Sequence, residues 1–272
     1  MEMKLPILNE TLIKRIQQSE MEYLTSRISS IGERPGNPEG VEINHYGQAA
    51  AYYIKTMPWG IFNSVKGLGD EDSDKLEEII KFYEARDRSF QIDLDPIQCT
   101  AALFGKLAEL GFRQNGFHSV LYGLPSEDKP VLHPHITISE VVTEEAFDHY
   151  AEIHCLGSGM SLSDKHHFVN NNIGLLNRKG WKIYLAYLND IPAGVGVMHM
   201  NEDGIASCAL AATAPTFRNQ GLQTALLNRR LHEAHLAGCE LVVAQASFGS
   251  SSQHNMERAG LHIAWTRSIM KK

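Results

Sequence analysis

The 272-residue chain is short of cysteine, of positive charge and of long apolar runs. Its 25 Lys and Arg face 32 Asp and Glu, for a formal net charge of −7. That balance argues against nucleic acid or an anionic membrane as partner. No run approaches the roughly 20 apolar residues a membrane-crossing helix needs. The opening MEMKLPILNE holds no apolar core of signal-peptide length, so a cytoplasmic location is the expectation. The four cysteines, Cys99, Cys155, Cys208 and Cys239, fit neither a disulfide framework nor a metal spacing, and free buried thiols are expected. His133-Pro134-His135 lacks a third ligand nearby in sequence and reads as a solvated linker, so no metal is expected.

A chain of this length accommodates two domains. The polar, Pro-bounded Ser126-Glu127-Asp128-Lys129-Pro130 marks the boundary, giving 1–130 and 131–272. Residues 1–130 carry 14 basic and 20 acidic side chains, a net of −6, which leaves 11 and 12 for the remainder, a net of −1. The carboxyl half is therefore the better home for an anionic ligand. In the first half, helices are expected over 9–30 and 72–86 and around Leu103, Leu107 and Leu110, with strands at 59–65, 89–94 and 119–122. In the second, a strand at 136–142 leads to two helices. A meander follows at 181–187, 193–200 and 207–213, then a helix, an apolar strand at 241–244, a short helix and a last strand at 262–270. The fold class expected is α/β, in the α+β sense: a mixed, mostly antiparallel sheet flanked by helices.

The stretch Leu210 to Leu231 organises the second half. It reads as a strand, a turn on Arg218-Asn219-Gln220-Gly221, and a helix with Leu227, Leu231 and Ala234 on one face. A glycine at a helix mouth admits a ligand close to the backbone, where free N–H groups and the helix dipole favour phosphate.

Pro215-x-x-Arg218-x-x-Gly221-x-x-Thr224-x-Leu226-Leu227 resembles the acetyl-CoA-binding segment of the GCN5-related N-acetyltransferases, Gln/Arg-x-x-Gly-x-Gly/Ala, with Gln223 where Gly or Ala is usual. Ser247-x-Gly249-Ser250-x-Ser252-x-x-Asn255-x-Glu257-Arg258-x-Gly260 resembles that family's fourth helix. The element order over about 135–272 matches its fold. The resemblance implies a coenzyme A thioester, acetyl-CoA, as cofactor. Ala211, Ala212 and Thr213 would offer main-chain bonds to the pantetheine arm. Asn219, Gln220, Gly221, Leu222, Gln223 and Thr224 would surround the pyrophosphate, with Asn255 reaching in from the fourth helix and Arg218 adding charge. The first half, where Glu109-Leu110-Gly111-Phe112 echoes Arg258-Ala259-Gly260-Leu261, is expected to be a smaller, degenerate copy without the Arg-x-x-Gly segment and without cofactor.

The implied reaction is direct attack by a primary amine of a small molecule or peptide on the thioester. It needs a base, an oxyanion donor and an acid for the departing thiolate. Family members often place a tyrosine acid where this chain has Met256, which donates no proton. Ser251, Ser252 or His254 are the substitutes nearby, and His199, Glu202 and Cys208 are the nearest titratable groups for a base; the catalytic residues are left unassigned. Trp59 and Asn63 are candidate lining residues for the acceptor. A non-catalytic acyl-CoA-binding or regulatory protein is the alternative, and an O- or aminoacyl-transferase a third reading.

Overall fold

Three helices begin with a side chain that caps them. Asn9 accepts from the Leu12 N–H, Thr143 from Ala146 and Ser250 from Gln253, each satisfying one of the donors that a helix leaves open at its start. The computed structural model describes residues 4–272. In chain order its elements are helix α1 (Glu10–Gly32), strands β1 (Val41–Tyr46), β2 (Ala49–Ile54) and β3 (Ser64–Lys66), α2 (Leu76–Glu84), β4 (Gln91–Leu94), α3 (Ala101–Glu109) and β5 (Arg113–Gly123). There follow β6 (Ile136–Glu140), α4 (Glu144–Ser158), α5 (Lys165–Asn172), β7 (Trp181–Leu188), β8 (Ile191–Met200), β9 (Ile205–Thr213), α6 (Leu222–Leu236), β10 (Leu241–Ser247), α7 (Ser251–Arg258) and β11 (His262–Lys271). Among the described residues no helix is long and apolar enough to cross a membrane. The four cysteines are free thiols, three of them buried.

The chain divides into two compact units. The first takes 9–120, 246–248 and 264–272; the second takes 4–8, 121–245 and 249–263. Compared with expected halves of 1–130 and 131–272, the segment 121–130 joins the second unit and the last strand joins the first. The ladder supplies the reason for the latter: β11 runs antiparallel to β4, with Ser268 opposite Leu94 and Met270 opposite Ile92.

In the first unit the strand order is β1-β2-β3-β4-β11-β5. The three opening strands form an antiparallel meander, and α2 carries the chain over to β4, parallel to β3. Leu76, Ile79, Ile80 and Tyr83 of α2 are buried, as their helical spacing predicts. Tyr83 stacks on Phe90 with ring centroids 4.0 Å apart and donates its hydroxyl hydrogen to the Tyr52 carbonyl at 2.7 Å. The expected strand over 59–65 is a turn of 3-10 helix at Gly60–Phe62 followed by β3. Strands β1 and β2 were not expected at all.

The second unit orders its strands β10-β9-β8-β7-β6. Four are antiparallel neighbours, and β10 returns parallel to β9 through α6. Parallel neighbours need such a crossover. Leu222, Ala225, Leu226, Leu227, Leu231 and Ala234 of α6 lie in the core with Met198, Cys208 and Val242. Each fully buried leucine contributes about 2 kcal/mol through burial. Helix α4 comes very close to β9 at Gly157, where a Cβ would stand 2.8 Å from the Ala212 Cβ.

Candidate functional site

Strand β9 loses its regular pairing on both edges near its C-terminal end. On one side Val195 pairs with Ala212 and Val197 with Ala209, so Leu210 and Ala211 together face Gly196. This is a β-bulge. Leu210 adopts φ +46°, a left-handed conformation that costs a non-glycine residue about 1–2 kcal/mol. On the other side the parallel ladder with β10 runs from Leu241–Ile205 to Ala244–Cys208, where the paired register ends. Past that point lies a cavity of about 800 Å³ lined by β9 from Cys208 to Thr213, Gln245 of β10, the first turns of α6, and Ser251, Ser252, Asn255 and Met256 of α7.

One end of this cavity is the start of α6. Asn219 and Gly221 both have positive φ, 63° and 79°, and both line the cavity. The first helical bond is Ala225 N–H to Gly221 O at 2.9 Å. Among the described residues the N–H groups of Leu222, Gln223 and Thr224 have no hydrogen bond, and no side chain caps the helix. Helices α1, α4 and α7 are capped by side chains, whereas here the donors face an open cavity.

Ten of the eleven residues expected to contact the coenzyme line this cavity: Ala211, Ala212, Thr213, Arg218, Asn219, Gly221, Leu222, Gln223, Thr224 and Asn255. Gln220 is exposed and does not line it. Some of the ten have partners already. Arg218 Nη2 donates to the Gly157 carbonyl at 3.1 Å, which pins the arginine against the end of α4. Asn255 Oδ1 accepts from Arg258 at 2.8 Å. Gln223, the departure from the family pattern, donates its amide to Ala212 O and to Thr213 Oγ1, each at 2.8 Å. It thereby ties the first turn of α6 to the end of β9 and occupies one lone pair of a carbonyl expected to serve the pantetheine arm.

The groups considered for acid–base chemistry separate clearly. Ser251, Ser252 and Met256 line the cavity, and His254 does not. Cys208 lines it too, but burial pushes its thiol pKa up, only partly opposed by Arg230, so it stays protonated at neutral pH. Glu202 lies outside the cavity in an exposed pair with Lys179 at 2.6 Å, and the hydrogen bond from Lys179 holds its carboxyl below the usual range. His199 is buried with its ring 4.9 Å from Trp181, and does not line the cavity. Asn63 has a structural role that removes it from any lining: fully buried, it donates to Met57 O and Trp59 O at 2.6 and 3.0 Å and accepts from the Ile54 N–H. The Leu210 bulge and Arg230 are the site features that sequence reasoning missed. A non-glycine residue in a left-handed bulge carries no compositional signal.

The first unit has the same succession of meander, crossover helix, parallel strand, helix and strand. At the position of its crossover turn stand Asp70, Glu71 and Asp72, and Asp72 accepts from the Gln48 N–H at 3.0 Å. Carboxylates there repel a phosphate where the second unit offers bare amides.

No family model and no curated protein matches the sequence. Solved structures do. A GCN5-related N-acetyltransferase from Kribbella flavida is similar with a TM-score of 0.68 at 15% identity, over 95% of this chain and 94% of that one. A tandem GNAT protein from the clavulanic acid biosynthesis pathway gives 0.61 at 11% identity, over 95% and 94%. A GCN5-related N-acetyltransferase from Sphaerobacter thermophilus gives 0.59 at 14%, over 92% and 90%. The chain has the fold of GCN5-related N-acetyltransferases, and the likeness extends over both units.

Proposed function

We propose that the second unit binds acetyl-CoA and that the protein is an N-acetyltransferase, transferring the acetyl group to a primary amine of a small molecule or peptide. One observation carries the reading. The unpartnered amides of Leu222, Gln223 and Thr224 sit at one end of a cavity that continues between β9 and β10 where their ladder ends. Amides at a helix mouth suit a diphosphate, and strand edges without partners suit the amide-bearing pantetheine arm. The bulge at Leu210 leaves main-chain groups outside the ladder, able to donate to an oxyanion. A free amine adding to the thioester carbonyl would form the new C–N bond. The C–S bond then breaks, and the sulfur leaves as thiolate and takes up a proton. The first unit is proposed as the degenerate copy that holds no cofactor, its acidic crossover turn being the support.

Met256 favours a second reading, an acyl-CoA-binding protein without transferase activity, because a thioether stands where a proton donor is needed. Calorimetry with coenzyme A and acetyl-CoA, followed by an assay of free thiol with an amine panel, tests both. Binding with amine-dependent thiol release is expected. Binding without release for any amine would support the second reading, and no binding of either coenzyme would defeat both.

A further inference from the structure

Arg230 is 3% exposed and yet lines the cavity. It lies nine residues along α6 from Gly221, about 13 Å of helical rise from the anion-binding end. Nε donates to Leu226 O at 3.0 Å, and Nη1 donates to Val197 O at 3.2 Å and Ala209 O at 3.4 Å. Among the described residues no carboxylate pairs with it and Nη2 makes no hydrogen bond. Two of its five N–H donors therefore remain. Room for the guanidinium is provided by Gly196, where a Cβ would stand 3.0 Å from the Arg230 Cζ and 3.2 Å from Nη2.

The chain treats another buried arginine differently. Arg267, 2% exposed, is matched by Glu20 and Asp95. Removing a guanidinium from water without a counter-ion costs several kcal/mol, and three carbonyl dipoles offset only part of that. No acidic residue lines the cavity; apart from Arg218 and Arg230 its lining is neutral. An anionic group arriving there would meet one positive charge and two free donors, with no competing acid. A diphosphate at the start of α6 lies too far along the helix to be that group.

Resting on the reading of the cavity as a coenzyme A thioester site, we propose that the ligand portion reaching its inner end carries a carboxylate, held by Nη2 of Arg230. A guanidinium is well suited to a carboxylate. The carboxylate belongs either to the acyl chain, as in a dicarboxylic acyl thioester, or to an amino-acid acceptor.

Calorimetry on the unmodified protein distinguishes the two. One arm compares succinyl-CoA with butyryl-CoA, of equal chain length and without the charge, with coenzyme A as control. The other compares an α-amino acid with its amide as the second ligand in the presence of acetyl-CoA. At least a tenfold preference for the carboxylate is expected in one arm, and in Arg230→Met that ratio should fall to within about twofold of unity. Gly196→Ala, whose methyl crowds the guanidinium, should lower the same ratio, and serves if Arg230→Met does not fold. No preference in either arm, or a preference that survives both substitutions, overturns the proposal. Failure of coenzyme A itself to bind is read separately in the control and defeats the underlying cavity reading instead.

Discussion

Arg267 joins four other charged side chains of the first unit into one buried cluster. Its Nη1 meets Glu20 at 2.5 Å, Nε meets Asp95 at 3.0 Å, and Lys66 joins Glu20 at 2.7 Å and Asp93 at 2.5 Å. Trp265 adds a donor to Asp95 at 2.6 Å. Removing one member strands the others, so Arg267→Met should cost about 3–5 kcal/mol, read as a loss of denaturant midpoint. The pH dependence has a definite sign. Although burial opposes ionisation, Arg267 and Lys66 hold Glu20 below its usual range, and Lys66 and Arg267 do the same for Asp93. A carboxylate with a lower pKa in the folded state binds fewer protons than in the unfolded chain, so stability rises with pH across that interval. The contribution is complete above the unfolded values of about 4 and drains away as pH falls below them. Chemical denaturation between pH 7 and 3 should therefore show a decline concentrated below pH 4. In Arg267→Met that acid-side decline should be smaller, and an equal decline in both proteins would contradict the assignment.

At the scale of elements, the turn and helix that open the cavity were legible from Arg218-x-x-Gly221 because the need for a left-handed glycine is written in a single residue. Gly221→Ala tests it. A Cβ there meets nothing within 4 Å, so the cost is backbone strain alone at φ +79°, about 1 kcal/mol. That corresponds to about 2–4 °C in the melting temperature of a protein this size, and a larger drop would mean the methyl disturbs more than its own backbone. Strands β1 and β2 were not legible. Ala49-Ala50-Ala51-Tyr52-Tyr53-Ile54 is buried throughout, so it lacks the alternation that marks a half-exposed strand, and its alanines have little strand propensity. At Gly60–Phe62 the strand-like residues Ile61 and Phe62 lie in a turn instead, because the backbone there folds back, with Asn63 bonded to Met57 and Trp59. Gln223 was visible as a departure, but its bonds to Ala212 and Thr213 depend on the bulged end of β9, which residue type does not disclose.

For the whole molecule, the last strand decides which segments fold together. Residues 264–272 close the first unit, although more than a hundred residues of the second unit precede them. They supply the ladder with β4 and, through Trp265 and Arg267, the partners of Asp95 and Glu20. A chain ending at residue 263 would leave β4 without a neighbour on that edge and leave Glu20, Asp93 and Asp95 facing Lys66 alone. Three buried carboxylates against one ammonium should cost more than the 3–5 kcal/mol of a single broken pair, a large share of the about 5–15 kcal/mol that holds a typical domain folded. Hydrogen exchange on that shortened chain should show protection lost first in α1 and β4, at the opposite end of the sequence from the deletion. The core of α6 and β8 in the second unit should keep more of its protection, because its buried leucines belong to a core cluster built from that unit's own residues. If α1 and β4 remained as protected as in the full chain, the buried charges would have to be satisfied without Arg267, and the first unit would be a contiguous domain after all.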